Sequence, residues 1–270
     1  MGKVLVITSG KGGVGKTTTT ANLGSALALL GNKVAVVDAD IGLRNLDVIM
    51  GLENRIVYDV VDVIEGTCKL KQALIRDKSF DNLFLLPAAQ TRDKNAVTPA
   101  QMKEICKDLE EKYDYVLVDS PAGIEQGFRN AIAGAHHAII VTTPEVSAVR
   151  DADRIIGLVE AAELDTPMLI INRIRPAMVE KGDMMSVEDV LDILAINLLG
   201  IIPDDEKVIT TSNRGDPAVL DKKSGAGQAY QNIALRIMGE EVPLMNLKKK
   251  PKGLKGIWHG VKKTLKKRVI

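Results

Sequence analysis

The chain has 270 residues, of which 46% are hydrophobic and 26% are charged, a balance typical of a folded protein with one large or two ordinary domains. Its aromatic residues are only one Trp, four Tyr and three Phe, and its two cysteines, Cys68 and Cys106, are far apart. This composition argues against a stacking platform for single-stranded nucleic acid, a disulfide framework, a structural zinc site and an intrachain iron–sulfur cluster. With no signal-peptide pattern and no apolar run of about 18 residues, we expect a reduced, cytosolic protein that does not span a membrane.

The net charge of +1 is unevenly distributed along the chain. Residues 242–270 carry ten of the 36 Lys and Arg residues and none of the 35 Asp and Glu residues. The remaining 26 basic and 35 acidic side chains give residues 1–241 a net charge of −9. An acidic body is poorly suited to nucleic acid, whereas a basic C-terminal segment is suited to an anionic surface.

Short apolar runs alternate with helical patterns from the first residues onward. Strands are predicted at Lys3–Thr8, Lys33–Val37, Leu83–Leu86, Tyr115–Val118, His137–Thr142, Met168–Ile171 and Leu198–Ile202. Helices are predicted at Lys16–Leu30, Pro99–Lys112, Ile124–Ala133, Ser147–Ala162, Ser186–Leu194 and Gly227–Gly239. Near-continuous apolar strands between helices predict a single doubly wound α/β domain with a mostly parallel sheet, covering residues 1–239. Residues 240–253 are predicted to be a basic linker, and residues 254–270 an amphipathic helix.

A glycine-rich motif, G-K-G-G-V-G-K-T, joins the first predicted strand to the first helix. It matches the phosphate-binding loop of P-loop NTPases, in which glycines let backbone N–H groups converge on phosphate oxygens at a helix N-terminus. Lys16 is expected to reach the β- and γ-phosphates, the Thr17 hydroxyl to bind Mg²⁺, and Thr18 to contact the α-phosphate. The predicted phosphate-binding residues are Gly10, Lys11, Gly12, Gly13, Val14, Gly15, Lys16, Thr17 and Thr18.

The second lysine of this motif, Lys11, is unusual because Lys16 already supplies an ammonium group to the phosphates. Lys11 is either a solvated surface lysine or a catalytic group that reaches the nucleotide of a partner subunit across a two-fold interface. The motif resembles the phosphate loop of the ParA/MinD family of ATPases. The resemblance implies that Lys11 crosses a dimer interface.

Aspartates follow two of the predicted strands, where the carboxyl ends of parallel strands face the phosphate loop. Asp119 is expected to hold Mg²⁺ through a bound water. Asp40 is the candidate for orienting the attacking water, and Asp38 for supporting Mg²⁺ or positioning its neighbours. The alternative is that these side chains cap helices.

Recognition of the base is predicted less directly. The family resemblance implies that the Asn of an Asn-Arg pair contacts the base, which corresponds to Asn172 and Arg173. The absence of an N-K-x-D motif counts against GTP. ATP and Mg²⁺ are therefore the expected cofactors, with hydrolysis slow until a partner assists.

Longer stretches resemble the MinD branch of the family across residues 3–239. They are Ile41–Arg55, Pro87–Lys94, Asp119–Gly127, Thr143–Gly157 and Ser212–Pro217. This resemblance implies a dimer in the ATP state, reversible attachment to the inner face of the cell membrane, and recruitment of the division inhibitor MinC. It also implies an activating partner, MinE or another topological factor. The alternatives are a DNA-segregation ATPase of ParA type, which the acidic body disfavours, and a nucleotide-binding scaffold that does not hydrolyse ATP.

The resemblance also places partner-binding residues on the helix after the fifth of these predicted strands. A solvated helix face is the alternative explanation of this charged pattern. The candidate residues are Glu145, Ser147, Arg150, Asp151 and Asp153.

The last residues of the chain combine an apolar stripe with a basic arc, which predicts a helix lying in a membrane interface. The only Trp of the chain lies on the stripe, at a position suited to lipid headgroups. A helix docked on its own body and a DNA-binding tail are the alternatives. The predicted membrane-contacting residues are Leu254, Ile257, Trp258, Val261 and Leu265.

Overall fold

The computed structural model describes residues 1–245. The predicted helix of residues 254–270 and most of the predicted linker lie outside this part of the chain. Eight strands form one sheet in the described residues. They are β1 (Lys3–Thr8), β2 (Val34–Asp38), β3 (Ile75–Arg76), β4 (Leu83–Leu86), β5 (Tyr115–Asp119), β6 (His137–Thr142), β7 (Asp165–Ile174) and β8 (Asn197–Pro203).

Helices flank this sheet on both faces. They are α1 (Lys16–Leu29), α2 (Leu46–Met50), α3 (Val60–Ile64), α4 (Leu70–Ala73), α5 (Pro99–Glu110), α6 (Gln126–Ile132), α7 (Val146–Ala161), α8 (Pro176–Lys181), α9 (Val187–Leu194), α10 (Glu206–Ser212) and α11 (Gly225–Ile237). Single turns of 3₁₀ helix occur at Glu53–Arg55, Lys94–Ala96 and Ala218–Leu220.

The order of the strands is β3-β4-β2-β5-β1-β6-β7-β8, with β1 hydrogen-bonded between β5 and β6. All neighbouring strands are parallel except the edge pair β3 and β4. The predicted fold class, a doubly wound and mostly parallel sheet, is confirmed. The carboxyl ends of β1, β2 and β5 lie side by side, which is where ligands bind in open α/β sheets.

Two hydrophobic cores explain why the strand sequences are almost continuously apolar. Successive residues of β1 alternate between them: Val4 and Val6 belong to one core, and Leu5 and Ile7 to the other. All four side chains are at most 2% exposed. Since each face of the sheet is covered by helices, neither face of a central strand tolerates polar residues.

The seven strands and six helices predicted within residues 1–239 are all present, with ends within three residues of those predicted. Sequence reasoning missed the two-residue strand β3 and the helices α2, α3, α4, α8 and α10. Each missed helix has seven residues or fewer, so it spans at most two turns. A helix of that length does not display an apolar periodicity in the sequence.

A single arginine fastens the end of the described chain to the sheet. The Arg236 guanidinium donates to the carbonyls of Leu199 (2.8 Å), Val242 (2.9 Å) and Pro243 (2.8 Å). Burial lowers the pKa of this guanidinium. Residues 242–243 are thereby held beside β8. Across residues 1–245, none of the helices has the length and apolar character needed to cross a bilayer.

Candidate active site

The glycine-rich loop connects the end of β1 to the start of α1. Gly13 (φ 78°) and Gly15 (φ 97°) have left-handed backbone conformations that favour glycine. A Cβ atom on Gly15 would lie 2.4 Å from Nδ2 of Asn172, so this position has no room for a side chain. The loop therefore turns tightly into the N-terminus of α1, a helix of 14 residues whose first N–H groups favour an anion.

Lys16 is the first residue of α1 and is only 7% exposed. Burial lowers the pKa of its ammonium group, and the nearby carboxylates of Asp119 and Asp40 partly oppose this shift. A buried ammonium at a helix N-terminus adds a localised positive charge to the backbone N–H groups. Such a charge suits phosphate groups, and the contact of Lys16 with the β- and γ-phosphates stays a prediction.

Two buried carboxylates face each other across neighbouring strands. Asp38 ends β2 and Asp119 ends β5, where they are register partners and each is 1% exposed. Burial, reinforced by the charge of Asp119, raises the pKa of Asp38 to about 8. Burial also raises the pKa of Asp119 to about 6, although hydrogen bonds from Thr17 and Thr20 and the charge of Lys16 act to lower it.

These raised pKa values mean that burial disfavours the charged form of both carboxyls, which a cation bound beside them would favour. The ligands available there are the oxygen atoms that Mg²⁺ prefers: carboxylates and the hydroxyl of Thr17, which is hydrogen-bonded to Asp119. The Thr20 hydroxyl donates to Asp119 at 3.0 Å and fixes that carboxylate. The donor set therefore fits Mg²⁺ beside the phosphate loop.

Asp38 and Asp40 differ in their surroundings, although only one residue separates them. The Asp38 carboxylate accepts hydrogen bonds from the backbone N–H groups of Asp40 (3.0 Å) and Leu46 (3.2 Å). It thus holds both the segment that contains Asp40 and the start of α2. Asp40 is half-buried and close enough to Lys16 to influence its pKa.

Lys11 lies against α7 of its own chain. Its Nζ atom donates to Oγ of Ser147 at 3.0 Å and lies 3.7 Å from Oε2 of Glu145. The Lys11 side chain is 43% exposed. Neighbouring Gly10 packs directly on the same helix, since a Cβ atom there would lie 2.2 Å from the carbonyl oxygen of Asp151. Sequence reasoning missed that α7 forms the outer wall of the loop.

The predicted partner-binding face of α7 is at the surface. Glu145, Ser147, Arg150 and Asp153 are exposed, and Asp151 is half-buried. Other residues of the same helix, including Ala148, Val149 and Ala152, point the opposite way and are buried in the two cores. The structure thus brings this face next to Lys11, and its binding role stays a prediction.

A cleft of about 430 Å³ adjoins the loop on the side of β7 and β8. Both predicted base-contacting residues line it. The Asn172 amide donates to the carbonyl of Val14 at 2.7 Å and accepts from the N–H of Arg173 at 2.9 Å, so it also anchors the loop. Base recognition by Asn172 stays a prediction. Further lining residues are Thr18, Arg175, Pro203, Asp204, Asp205, Ile209 and Tyr230.

Asp205, two residues after β8 and at the N-cap of α10, was not among the predicted site residues. Its Oδ1 accepts from the N–H of Lys207 at 2.9 Å, and its Oδ2 from the Ser224 hydroxyl at 2.7 Å and the N–H of Ala226 at 3.1 Å. One carboxylate thus caps both α10 and α11. The rule that identified Asp38 and Asp119, an acidic residue after a parallel strand, also applies to Asp205.

Together, the fold and this site define a P-loop ATPase whose phosphate loop carries a second lysine. The family model described as the CobQ/CobB/MinD/ParA nucleotide binding domain matches residues 5–218. The septum site-determining protein MinD of Bacillus subtilis is 59% identical over 256 residues, covering 94% of this chain and 96% of that protein. This chain belongs to the MinD family of septum site-determining ATPases.

Solved structures agree with this assignment. The chain resembles the MinC:MinD cell division protein complex of Aquifex aeolicus with a TM-score of 0.85 and 52% identity, covering 90% of this chain and 99% of that one. It resembles the septum site-determining protein MinD complexed with Mg-ADP from Pyrococcus horikoshii with a TM-score of 0.80 and 32% identity, covering 88% and 96%. The protein is an ATPase with ATP and Mg²⁺ as cofactors, as the sequence predicted.

Proposed function

We propose that the chain is a dimerising ATPase switch that binds the membrane in its ATP state, recruits MinC there, and so positions the division site. The observation that carries this proposal is the place of Lys11. It lies on the outside of a loop that already has a buried lysine, within reach of solvent rather than beside Lys16. A second ammonium in that position suits the phosphates of another subunit.

In the proposed site, the backbone of residues 10–18 and the ammonium of Lys16 bind the phosphates. Mg²⁺ is held by the Thr17 hydroxyl and, through a water, by Asp119. Asp40 orients the attacking water, and Asp38 positions Asp40 through their 3.0 Å hydrogen bond. Asn172 and Arg173 flank the base in the cleft that they line. Positioning and charge stabilisation supply the catalysis, which explains slow turnover in an isolated subunit.

Dimerisation is supported by the surface around Lys11. Three large apolar side chains at this end of the molecule are well exposed: Leu43 (62%), Ile124 (53%) and Val146 (67%). Gly12 and Gly13 are also exposed, and a Cβ atom on Gly13 would meet nothing within 4 Å. Since no side chain of residues 1–245 covers the loop there, a second copy can bring its own loop close enough to complete both sites.

The exposed face of α7 is the proposed surface for MinC, and for MinE or another topological factor. The complex known for the Aquifex aeolicus relative supports MinC as the partner. Because this face contacts Lys11 through Ser147 and Glu145, a partner bound there lies beside the catalytic lysine. That proximity suits a factor that accelerates hydrolysis.

Membrane attachment is assigned to residues 254–270, through Leu254, Ile257, Trp258, Val261 and Leu265. One short basic helix binds an anionic surface weakly, whereas two on one dimer gain roughly 10²–10⁴ in avidity. ATP thereby controls a protein that is cytoplasmic and reversibly peripheral on the inner face of the cell membrane. The net charge of −9 on residues 1–241 disfavours the alternative, a DNA-segregation ATPase.

The experiment compares sedimentation of the full chain with anionic phosphatidylglycerol vesicles and with duplex DNA, each with Mg²⁺ and either ATP or ADP. We expect binding to vesicles in ATP only, a blue shift of Trp258 fluorescence, and co-sedimentation of added MinC. Ile257→Glu should abolish vesicle binding and retain ATP-driven dimerisation, whereas the matched variant Ile257→Leu should behave as wild type. ATP-dependent binding to DNA instead of vesicles would overturn the proposal.

The role of Asp40 is tested separately in single-turnover reactions. Asp40→Ala should bind ATP and dimerise, yet hydrolyse it on the order of 10²-fold more slowly, because the attacking water loses its orienting group. Asp40→Asn should restore part of the rate through its remaining oxygen. A wild-type rate in Asp40→Ala would assign the water to another residue.

A further inference from the structure

Two glycines from distant parts of the chain touch each other just after the ends of α2 and α10. A Cβ atom on Gly215 would lie 2.4 Å from Cα and 2.8 Å from N of Gly51. A Cβ atom on Gly51 would lie 2.9 Å from the carbonyl oxygen of Gly215. Both residues have left-handed backbones, with φ of 64° and 66°. The two main chains are therefore in direct contact, with no side chain between them to absorb movement.

Gly215 belongs to the segment that follows the wall of the base cleft. That wall includes α10, whose residues Glu206, Val208 and Ile209 line the cleft. Hydrogen bonds tie the turn after α10 back to the helix: the N–H of Gly215 donates to the carbonyl of Ser212 at 2.9 Å, and that of Asp216 to the carbonyl of Thr211 at 3.0 Å. A displacement of α10 is thus carried to Gly215.

Gly51 belongs to the segment that holds the carboxylates. It caps the C-terminus of α2, donating to the carbonyl of Val48 at 3.1 Å. At the other end of this five-residue helix, the N–H of Leu46 donates to Asp38, which also accepts from the N–H of Asp40. A displacement of Gly51 is therefore carried through one helix to the hydrogen bonds that position Asp40.

Lys78 lies over the contact between the two segments. Its Nζ atom lies 3.0 Å from Oδ1 of Asp216 and donates to the carbonyl of Arg214 at 3.5 Å. The same atom would lie 2.8 Å from a Cβ on Gly51, so it sits over the glycine contact. The ammonium group thus binds the turn after α10 and lies against the turn after α2.

We propose that the contact between Gly51 and Gly215, covered by Lys78, couples occupancy of the base cleft to the position of Asp40. Close-packed backbones do not compress, so a base that presses on α10 shifts α2 rather than the space between them. These three are positioning residues: they touch no reacting atom and determine how strongly hydrolysis depends on the base. The inference rests on the proposed role of Asp40 in hydrolysis.

The test measures affinity and single-turnover hydrolysis with ATP and with CTP, whose smaller pyrimidine fills less of the cleft. We expect wild type to hydrolyse bound ATP much faster than bound CTP. In Gly215→Ala the ATP rate should fall about tenfold toward the CTP rate, while ATP affinity stays within about threefold, since misplacement of a catalytic group costs rate rather than ground-state binding. The ratio of the two rates is the decisive quantity.

Gly31→Ala is the matched control, because Gly31 is also left-handed (φ 90°) but a Cβ atom there meets nothing within 4 Å. It should leave the ratio of rates unchanged. Lys78→Met leaves both glycines intact and should lower the ratio about two- to threefold, so it carries the test if Gly215→Ala does not fold. If both nucleotides slow equally in these variants, or only affinity changes, the coupling is wrong. A different outcome would separate the two proposals. If Asp40→Ala hydrolyses ATP at the wild-type rate while Gly215→Ala still lowers the ratio of the ATP rate to the CTP rate, the proposed role of Asp40 is wrong and the coupling is not.

Discussion

Two lysines of the same loop show how differently the buried and exposed halves of the site are built. Lys16 is 7% exposed and lies among the carboxylates of Asp119 and Asp40. The Lys11 side chain is 43% exposed and contacts Ser147 and Glu145 at the molecular surface. The buried half, Lys16 and the carboxylates around it, is surrounded by the packed interior of the protein, so its side chains have little freedom to move. The exposed half is held by contacts of the kind that are individually weak in water and easily exchanged.

The difference matters because, in the proposed mechanism, the half around Lys16 binds the nucleotide and the half around Lys11 takes part in assembly. A fixed charge suits the binding of a ligand that every subunit must hold, whereas an exchangeable one suits a group that changes partner when subunits pair. Substitutions in the buried half should therefore affect nucleotide binding, and those in the exposed half should affect assembly.

The largest effect is expected in the buried half. Lys16→Ala removes the ammonium that opposes the β- and γ-phosphates, and the loss of one partner from a buried charge pair costs about 2–5 kcal/mol. Affinity for ATP should therefore fall by on the order of 10²–10³, measured by calorimetry. Affinity within about fivefold of wild type would show that the backbone of the loop alone holds the phosphates.

Lys11→Ala should have the opposite effect to Lys16→Ala, because it should affect dimerisation and not nucleotide binding. The subunit should bind ATP with wild-type affinity, because Lys16 and the loop are intact, yet fail to form the ATP-dependent dimer. Sedimentation velocity at matched protein concentration measures this, with Lys222→Ala as a control for the loss of a surface charge. Equal dimer fractions in wild type and Lys11→Ala would remove the role in the partner's site.

The buried carboxylates predict an unusual pH dependence of stability. Because burial raises the pKa of Asp38 to about 8 and of Asp119 to about 6, the folded protein holds more protons than the unfolded chain, whose aspartates titrate near pH 4. The free energy of unfolding should then fall as the pH rises from about 4, where the unfolded aspartates titrate, to about 8, where Asp38 titrates in the folded protein.

Thermal unfolding of the nucleotide-free protein between about pH 6 and 8.5 measures this effect. Asp38→Asn, which does not titrate, should be less sensitive to pH and more stable than wild type at the alkaline end. Since the lowered pKa of Lys16 acts in the opposite direction, the difference between wild type and Asp38→Asn is the quantity to compare. If the stability of wild type and of Asp38→Asn changes with pH in parallel, the pH dependence does not come from Asp38.

The smallest effect is expected from Ser147→Ala. It removes the hydroxyl that holds Lys11 at 3.0 Å and leaves the loop unchanged. One such exposed hydrogen bond contributes about 0.5–1 kcal/mol, so freeing Lys11 should strengthen ATP-dependent dimerisation about two- to fivefold. Sedimentation over a concentration series measures the change, and weaker dimerisation would show that Ser147 contributes to the interface itself.

The parts of the site that sequence reasoning predicted are those with a local signature. Gly13 and Gly15 mark a tight turn before a helix, and Asp38 and Asp119 mark the carboxyl ends of buried strands, so the pattern alone places them all at the same edge of the sheet. Asp38 and Asp119 meet because β2 and β5 are neighbours in the sheet. The alternation of strands and helices is enough to predict a doubly wound sheet.

What the sequence did not reveal is long-range backbone contact. Gly10 packs on Asp151, and Gly51 on Gly215, but a glycine says only that some close approach or turn occurs, not which segment approaches. The double capping by Asp205 was missed for a related reason, since its second helix, α11, begins twenty residues later. Such contacts depend on how the elements pack, and packing has no local pattern.

The fastening of residues 242–243 by Arg236 has a consequence for how the molecule associates. An edge strand normally offers free backbone groups to a strand from another chain. On β8 the Leu199 carbonyl is already bonded to the guanidinium, which also binds Val242 and Pro243. At the opposite edge β3 has only two residues, too few to template another strand. Within residues 1–245, the β8 edge thus has one backbone acceptor already occupied and the β3 edge is only two residues long, so both margins of the sheet offer fewer free backbone groups to a strand from another copy.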